Sequence, residues 1–281
     1  MDTAFLKDSG DLAALLQAAD VDDLDALVDY ITDNGSGRVA LAKEVRERFV
    51  TCKNARNYRE SDRGAIASEL LLFGGNTMAN LFRGGKGVSY TELVGDVGTH
   101  LKATYAKGAN AATIEEAILS KLYDDAVSKM TPEERQRYTA DMDMFGDAKA
   151  AAHSAGFPVS RAYVMSAAVA NAMASTLIGR GLPLSASVIA SRSAGLFLGP
   201  FGIALSSVWT IAELASAAYR VTVPCVIQIA HIRQKSIRRA LECQCSKCTK
   251  INTPEAKFCS ECGNPMPQRP APSTSLVASA F

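Results

Sequence analysis

Alternation of polar and apolar residues at a period of two is nearly absent from this 281-residue chain, which argues against sheets and for helices. Histidine is scarce. His100, His153 and His231 are the only three, none has a second ligand at helical spacing, and there is no H-E-x-x-H motif. Aromatic residues make up 7% of the chain. The start, Met1-Asp-Thr-Ala-Phe-Leu-Lys7, has neither a basic opening nor an apolar run, so no secretory signal is expected there. Without one, the seven cysteines read as thiols and metal ligands rather than disulfides. The glycine-rich stretch Phe73 to Gly87 lacks a phosphate loop: Gly85-Lys86 is followed by Gly87 instead of Ser or Thr, and no glycine stands five residues before Gly85. It reads as helix punctuation and close helix packing, with Arg83 and Lys86 left as candidate anion contacts. Glu115 and Glu116 are adjacent and point to different helix faces. No catalytic residue is identified.

What is present in the first half is helical. Leu12, Leu15, Leu16, Leu24, Leu27, Val28 and Ile31 recur at three- and four-residue steps across residues 9 to 32. Asp20, Asp22, Asp23 and Asp25 supply an N-cap and early-turn carboxylates, and Asn34-Gly-Ser-Gly37 ends the run. A further helix is predicted from about Val39 to Thr51. Ser89 with Glu92, Thr113 with Glu116 and Thr131 with Glu134 each have the spacing of a capping box, and Pro132 stands at the favoured first helical position.

The net charge of +1 averages two unlike halves: from His153 onward twelve Lys and Arg face four Asp and Glu, so the first 152 residues carry −7. That asymmetry predicts a basic element turned toward an anionic partner. Ala162 to Gly179 is 18 residues without a charge, and Ser193 to Ala212 is another 20. A spanning helix needs about 20 apolar residues. The two stretches therefore predict a helical hairpin in a membrane, turning near Arg180 to Arg192, with Ala170 and Ala174, and Gly195 and Gly199, allowing close helix approach. The competing reading is a buried core, since Ala, Ser and Gly dominate and Gly199-Pro200 interrupts the second stretch. Arg233, Lys235, Arg238 and Arg239 form a basic stem, expected at the cytoplasmic membrane surface.

Five of the seven cysteines lie between residues 243 and 262. Cys245-Ser-Lys-Cys248 and Cys259-Ser-Glu-Cys262 place two thiolates on each of two tight turns, which is how a chain builds a tetrahedral zinc site. Four protein ligands predict one structural Zn²⁺ with no open position. Cys243 is an alternative ligand or a bystander, and the paired spacing favours the bystander. Phe258 is the single aromatic near the module, which disfavours nucleic acid. Four prolines within Pro265 to Ser275 predict a disordered tail.

The run Glu69-Leu-Leu-Leu-Phe-Gly-Gly-Asn-Thr-Met-Ala-Asn-Leu-Phe-Arg-Gly-Gly85, with Gly87-Val-Ser-Tyr-Thr-Glu-Leu-Val-Gly-Asp-Val97, Gly199-Pro-Phe-Gly-Ile-Ala204 and Ala218-Tyr-Arg-Val-Thr-Val-Pro-Cys-Val-Ile-Gln-Ile-Ala230, resembles the uncharacterised bacterial YaaW-like family. Asp23 to Thr32 looks like the small domain that often precedes it. The resemblance covers about residues 10 to 235. The family is grouped distantly with the ubiquinol–cytochrome c chaperones. The resemblance thus implies a helical helper protein near a membrane, with no catalytic residues to carry over. The zinc tail lies outside it and looks like ribbons appended to many bacterial proteins.

The expected architecture is all-α, with an apolar helical hairpin and a small C-terminal zinc ribbon. Its parts are a small helical domain (1–52), a helical domain holding the glycine-rich block (57–155), the hairpin (160–232), the basic stem (233–242), the ribbon (243–266) and a disordered tail (267–281). The expected function is a non-enzymatic, zinc-binding, membrane-associated interaction or assembly factor. It would sit at the cytoplasmic face of the inner membrane, or alternatively in the cytoplasm. Membrane lipid or a membrane protein is one expected partner, and a protein held by the ribbon or the front half is another. The alternatives are a membrane-perturbing effector with a sheltered hairpin and a soluble zinc-ribbon module binding protein or nucleic acid.

Overall fold

A computed structural model describes residues 6, 10–38, 41–74, 87–136, 161–179, 218–241, 243–252 and 256–266. The helices are α1 (Leu12–Gln17), α2 (Val21–Thr32), α3 (Lys43–Ala55), α4 (Glu60–Gly74), α5 (Tyr90–His100), α6 (Ala111–Lys129), α7 (Arg161–Leu177) and α8 (Tyr219–Leu241). Two two-residue strands, β1 (Cys243–Gln244) and β2 (Ile251–Asn252), pair antiparallel in the C-terminal module. Among the described residues the fold is otherwise helical.

Local chemistry sets most helix ends. The Asp11 carboxylate accepts from Ala14 N–H at the start of α1 (3.0 Å), and Ser89 Oγ accepts from Glu92 N–H at the start of α5 (3.2 Å). Thr131 and Glu134 close a reciprocal capping box, as their spacing predicts. The Thr113 box does not form. Helix α6 begins three residues sooner, and Asn110 Oδ1 caps Thr113 N–H at 2.9 Å. Helix C-termini expose unpaired carbonyls, and arginines cover three of them. Arg63 donates to the carbonyls of Leu16, Gln17 and Ala19 after α1. Arg38 donates to Tyr30 in α2, and Arg135 to Val127, Ser128 and Met130 at the end of α6. Two glycines flanking the glycine-rich block make close approaches. A Cβ on Gly87 would meet the Leu71 backbone at 2.7 Å, and one on Gly74 would meet Leu93 Cδ1 at 2.6 Å.

Helix α8 is the hub. It packs on α1, α2, α4, α5, α6 and α7, while α3 bridges α2 and α4. Every residue from Val221 to Gln234 is buried, and Val221, Val223, Val226, Ile227, Ile229 and Ile232 belong to one apolar core that runs from Leu6 through α1–α7. A helix buried all round is normally apolar all round; α8 is not, so its polar groups are paired. Arg233 Nε and Nη2 donate to the two carboxylate oxygens of Glu115 on α6 at 2.7 and 3.0 Å, and Nη1 donates to the Leu6 carbonyl at 2.8 Å. Tyr90 Oη donates to Glu115 Oε1 at 2.7 Å. The two charged side chains are only 1% and 2% exposed. Burial pushes the Glu115 carboxyl upward, opposed by Arg233. Burial also draws the guanidinium down, but Glu115 outweighs it and keeps Arg233 charged.

The basic residues expected to form a separate stem are the last turns of α8, and they face the protein. Lys235 bonds Asp23 at 2.9 Å and pairs with Asp20 at 2.6 Å; Arg239 also pairs with Asp20. Arg238 lies 4.7 Å above the Tyr163 ring of α7. The acidic face of α2 is satisfied on its other side by Arg56 with Asp22 and Asp25, by Tyr58 with Asp25, and by Lys53 with Asp29. Part of the charge asymmetry is therefore matched inside the molecule, through Arg233, Lys235 and Arg239. The expected boundary at residue 233 falls within α8, and the segments 1–52, 57–155 and 160–232 share one core.

Residues 162 to 179, the first half of the expected hairpin, are also placed differently. Helix α7 packs on α8 and α6, with Ala167, Ala168, Ala170, Ala172 and Ala174 buried. Small side chains permit close approach in a water-soluble core as well as in lipid. Ser166 donates to the Tyr163 carbonyl (2.8 Å) and lies 3.1 Å from His231 Nδ1. The hydroxyl can give its proton to that carbonyl and accept from Nδ1–H, or donate to Nδ1 in the other tautomer. Among the described residues, no helix is long and apolar enough to cross a membrane. The second stretch, 193–212, and its Gly195 and Gly199 lie outside the described residues.

Two predictions arise. Arg233→Leu strands a buried carboxylate and should cost about 3–5 kcal/mol, whereas Arg233→Met combined with Glu115→Leu should restore most of it; urea unfolding reads both. Burial lowers His231 from 6.5 to about 4. Between those values the unfolded chain takes up a proton that the folded chain refuses, so stability falls as pH drops from about 6.5 to about 4 and then levels. Asp20 and Asp62 are pushed up by burial, but hydrogen bonds from Arg239 and Lys235, and from Arg48 and Arg59, outweigh it and hold them at about 2. Their contribution persists above about 3.8 and is lost as pH falls toward about 2. His231→Asn keeps a donor near Nδ1. Urea midpoints measured against pH should lose the upper step in that variant and keep the lower one.

Candidate metal centre

The C-terminal module is built from two copies of one turn. Cys245 N–H donates to the Lys250 carbonyl at 2.8 Å, and Thr249 N–H to the Cys245 carbonyl at 3.0 Å. In the second copy Cys259 N–H donates to Asn264 at 2.8 Å, and Gly263 N–H to Cys259 at 3.0 Å. Each turn closes on a left-handed residue directly after its second cysteine, Thr249 at φ 60° and Gly263 at φ 67°. Glycine takes this conformation freely, whereas a β-branched residue does not.

The turns bring Cys245, Cys248, Cys259 and Cys262 together, with all four sulfurs within 4.8 Å of one another. Across the turns, Cys245 Sγ lies 3.6 Å from Cys262 Sγ and Cys248 Sγ 3.5 Å from Cys259 Sγ. A disulfide needs about 2 Å. A tetrahedron with metal–sulfur bonds of about 2.3 Å has sulfur–sulfur edges of about 3.8 Å. The spacing fits a metal held by four thiolates and does not fit two disulfides. The four residues could hold a metal ion.

The surroundings favour thiolates. The backbone amides of Cys248 and Lys247 lower the Cys245 thiol, and those of Cys262 and Glu261 help bring Cys259 down to about 6. Cys248 is pushed up to about 12: the Lys250 amide lowers it, but the neighbouring thiols outweigh that effect. Four adjacent sulfurs resist losing all their protons unless a cation joins them. Lys250 pairs with Glu261 at 3.8 Å. Cys243 lies outside the quartet. It is buried in β1 opposite Asn252 and belongs, with Met266, to the small apolar cluster of the module.

Of the other residues singled out by sequence, Arg83 and Lys86 lie outside the described residues. Arg233 and Lys235 make buried or partly buried ion pairs, Arg239 pairs with Asp20 at the surface, and Arg238 stacks on Tyr163. None of these four joins the cysteine quartet. Sequence reasoning missed Glu115, Tyr90, His231 and Asn252 as structural partners. For Glu115 there was a signal: its position three residues before Ile118 and four before Leu119 places it on the apolar face of α6.

Replacing any one of the four ligand cysteines by serine should abolish stoichiometric tight metal binding, while Cys243→Ser should keep one metal per chain; metal analysis after desalting checks both. Thr249→Gly relieves a left-handed β-branched residue and should strengthen the module by about 1 kcal/mol, read as roughly fivefold tighter metal binding.

Comparison with known proteins agrees with the sequence resemblance over most of the chain. A UPF0174 protein of Helicobacter pylori strain J99 is 34% identical over 179 residues, spanning 61% of this chain and 70% of that protein. Another from the same strain is 32% identical over 182 residues, spanning 60% of this chain and 87% of that protein. UPF0174 protein YaaW of Escherichia coli K12 is 29% identical over 251 residues, spanning 83% of this chain and 97% of that protein. No family model matches the chain, and no solved structure matches it. With a third of the positions identical across most of a relative's length, the chain belongs to the UPF0174 family.

Proposed function

We propose that the protein is a non-enzymatic interaction or assembly factor, a helical body that presents a zinc-bound ribbon to a protein partner. The observation that carries this reading is the quartet of thiols spaced for a tetrahedral ion. Zinc is the cation of choice for four thiolates in a small module. With all four positions taken by protein, such an ion shapes the ribbon and offers no site for substrate. Phe258, 64% exposed beside Cys259, gives the ribbon an apolar contact point. The Ser166–His231 pair does not suggest catalysis, because both side chains are buried.

Membrane association is retained in narrower form. Helices α7 and α8 belong to the core, which leaves the uncharged residues 193–212 as the contact with lipid or with a client's apolar helix, at the cytoplasmic face of the inner membrane. Tyr163 and Ser166 at the start of α7 meet His231 and Arg238 late in α8. At the other end, the Leu177 carbonyl accepts from Asn34, just beyond α2, whose own start lies against Lys235 and Arg239. Helix α7 thus runs antiparallel to α8, so Gly179 and Ala218 lie toward the same end of the pair. A soluble protein-binding ribbon is the second reading, favoured by the burial of α7.

Purified protein should carry about one zinc per chain, and chelation should release it with four newly titratable thiols. Native membranes washed with high salt, then carbonate, then detergent decide the location. Release only by carbonate or detergent supports the membrane contact, whereas a soluble or salt-released protein leaves the soluble ribbon.

A further inference from the structure

Asn252 on β2 stands outside the cysteine quartet, yet it is buried and joins both turns. Its Nδ2 donates to the Lys250 carbonyl of the first turn at 2.8 Å, and its Oδ1 accepts from Ser260 N–H of the second at 2.9 Å and from Ser260 Oγ at 3.1 Å. These partners fix the orientation of the amide, because a carbonyl can only accept and a backbone N–H can only donate. The remaining Nδ2 hydrogen is directed to Cys259 Sγ at 3.6 Å, within reach of the large sulfur atom. Both amide hydrogens and both oxygen lone-pair directions are thereby used, which is the condition under which a buried amide stabilises its surroundings.

The geometry points to Asn252 as a positioning residue for the metal: one side chain that locks the two cysteine turns to each other and donates a hydrogen bond to the Cys259 thiolate. The inference rests on the zinc reading above and adds a residue to it. A donor to a metal-bound thiolate withdraws charge from the sulfur and holds its direction, and partners of this kind are commonly worth 10–100-fold in metal affinity. Locking the turns matters separately. Among the described residues, the module's apolar cluster is only Cys243, Met266, Ala256 and the ligands themselves, so the polar link through Asn252 carries much of the register between the two halves of the quartet.

The test uses the full-length chain as wild type, Asn252→Ala and Asn252→Asp, with zinc affinity from chelator competition and cobalt(II) spectra as an independent readout. Asp keeps the size of the side chain and its acceptor for Ser260, but it replaces the donor with an oxygen facing the Lys250 carbonyl and the Cys259 thiolate. The expected result is a 10–100-fold loss for Ala and a larger loss for Asp. All three should give a four-thiolate cobalt spectrum at saturating metal, with the charge-transfer band of the variants displaced from wild type. Equal affinities for wild type and Asp would overturn the proposal, as would a variant that never reaches the four-thiolate spectrum, since Asn252 would then be a folding requirement only. Wild-type protein that binds neither ion removes the zinc reading and this inference together, whereas failure of the variants to differ removes this inference alone.

Discussion

The buried pair between Arg233 and Glu115 sets the terms for the helical body. A guanidinium and a carboxylate removed from water cost several kcal/mol each unless every donor and acceptor finds a partner. Here the guanidinium spans Glu115 and the Leu6 carbonyl, and the carboxylate also accepts from Tyr90. The contact can form only when α8, α6, α5 and the first residues of the chain converge. It joins residues 118 and 227 positions apart in sequence, so the last helix closes a core begun by the first. Removing α8 would leave unpaired charges on α2 and α6 as well as exposed apolar faces on α1 to α7. The pair, and the ion pairs from Lys235 and Arg239 to α2, make one register of α8 far better than a neighbouring one, because a slip along the helix would bury charges without partners.

This network explains which parts of the structure were legible in the sequence. Helix existence was legible because the apolar periodicity of α2, the Ser89 cap and the Thr131–Glu134 box are local signals. The cysteine site was legible for the same reason, since two C-x-x-C turns carry their geometry in four consecutive residues each. The role of Arg233, Lys235, Arg238 and Arg239 was not. Four cations after an apolar run have the same one-dimensional pattern whether they face lipid headgroups or aspartates more than 200 residues earlier in the chain. The −7 of the first 152 residues was in fact the clue: the nearest anionic partner for a basic helix was the acidic helix of the same chain. Helix α7 was ambiguous for a related reason. Alanine, serine and valine without charge satisfy a bilayer and a tightly packed core alike, and only its contacts with α8 and α6 separate the two. Asn252 gave no signal because its importance lies in joining two turns that only the fold brings together.

The two parts of the molecule hold together by different physics. The helical body has a continuous apolar core and a satisfied ionic interior. The ribbon has a few buried residues, two two-residue strands and four sulfurs. A unit of that size ordinarily gains its folding free energy from the metal, on the order of 10–16 kcal/mol apparent for structural zinc. A metal held by the four thiols would tie the ribbon's fold to that ion and to reduced cysteines, whereas the body rests on its own core.

The arrangement also sets how the ribbon joins the body. Because α7 and α8 are antiparallel neighbours, Gly179 and Ala218 lie at the same edge of the core. The ribbon follows from the opposite end of α8, 23 residues away along a helix that rises about 1.5 Å per residue, or roughly 35 Å. The end of α8 from which the ribbon departs is thus tied to the acidic helix α2, by Lys235 with Asp20 and Asp23 and, at the surface, by Arg239 with Asp20.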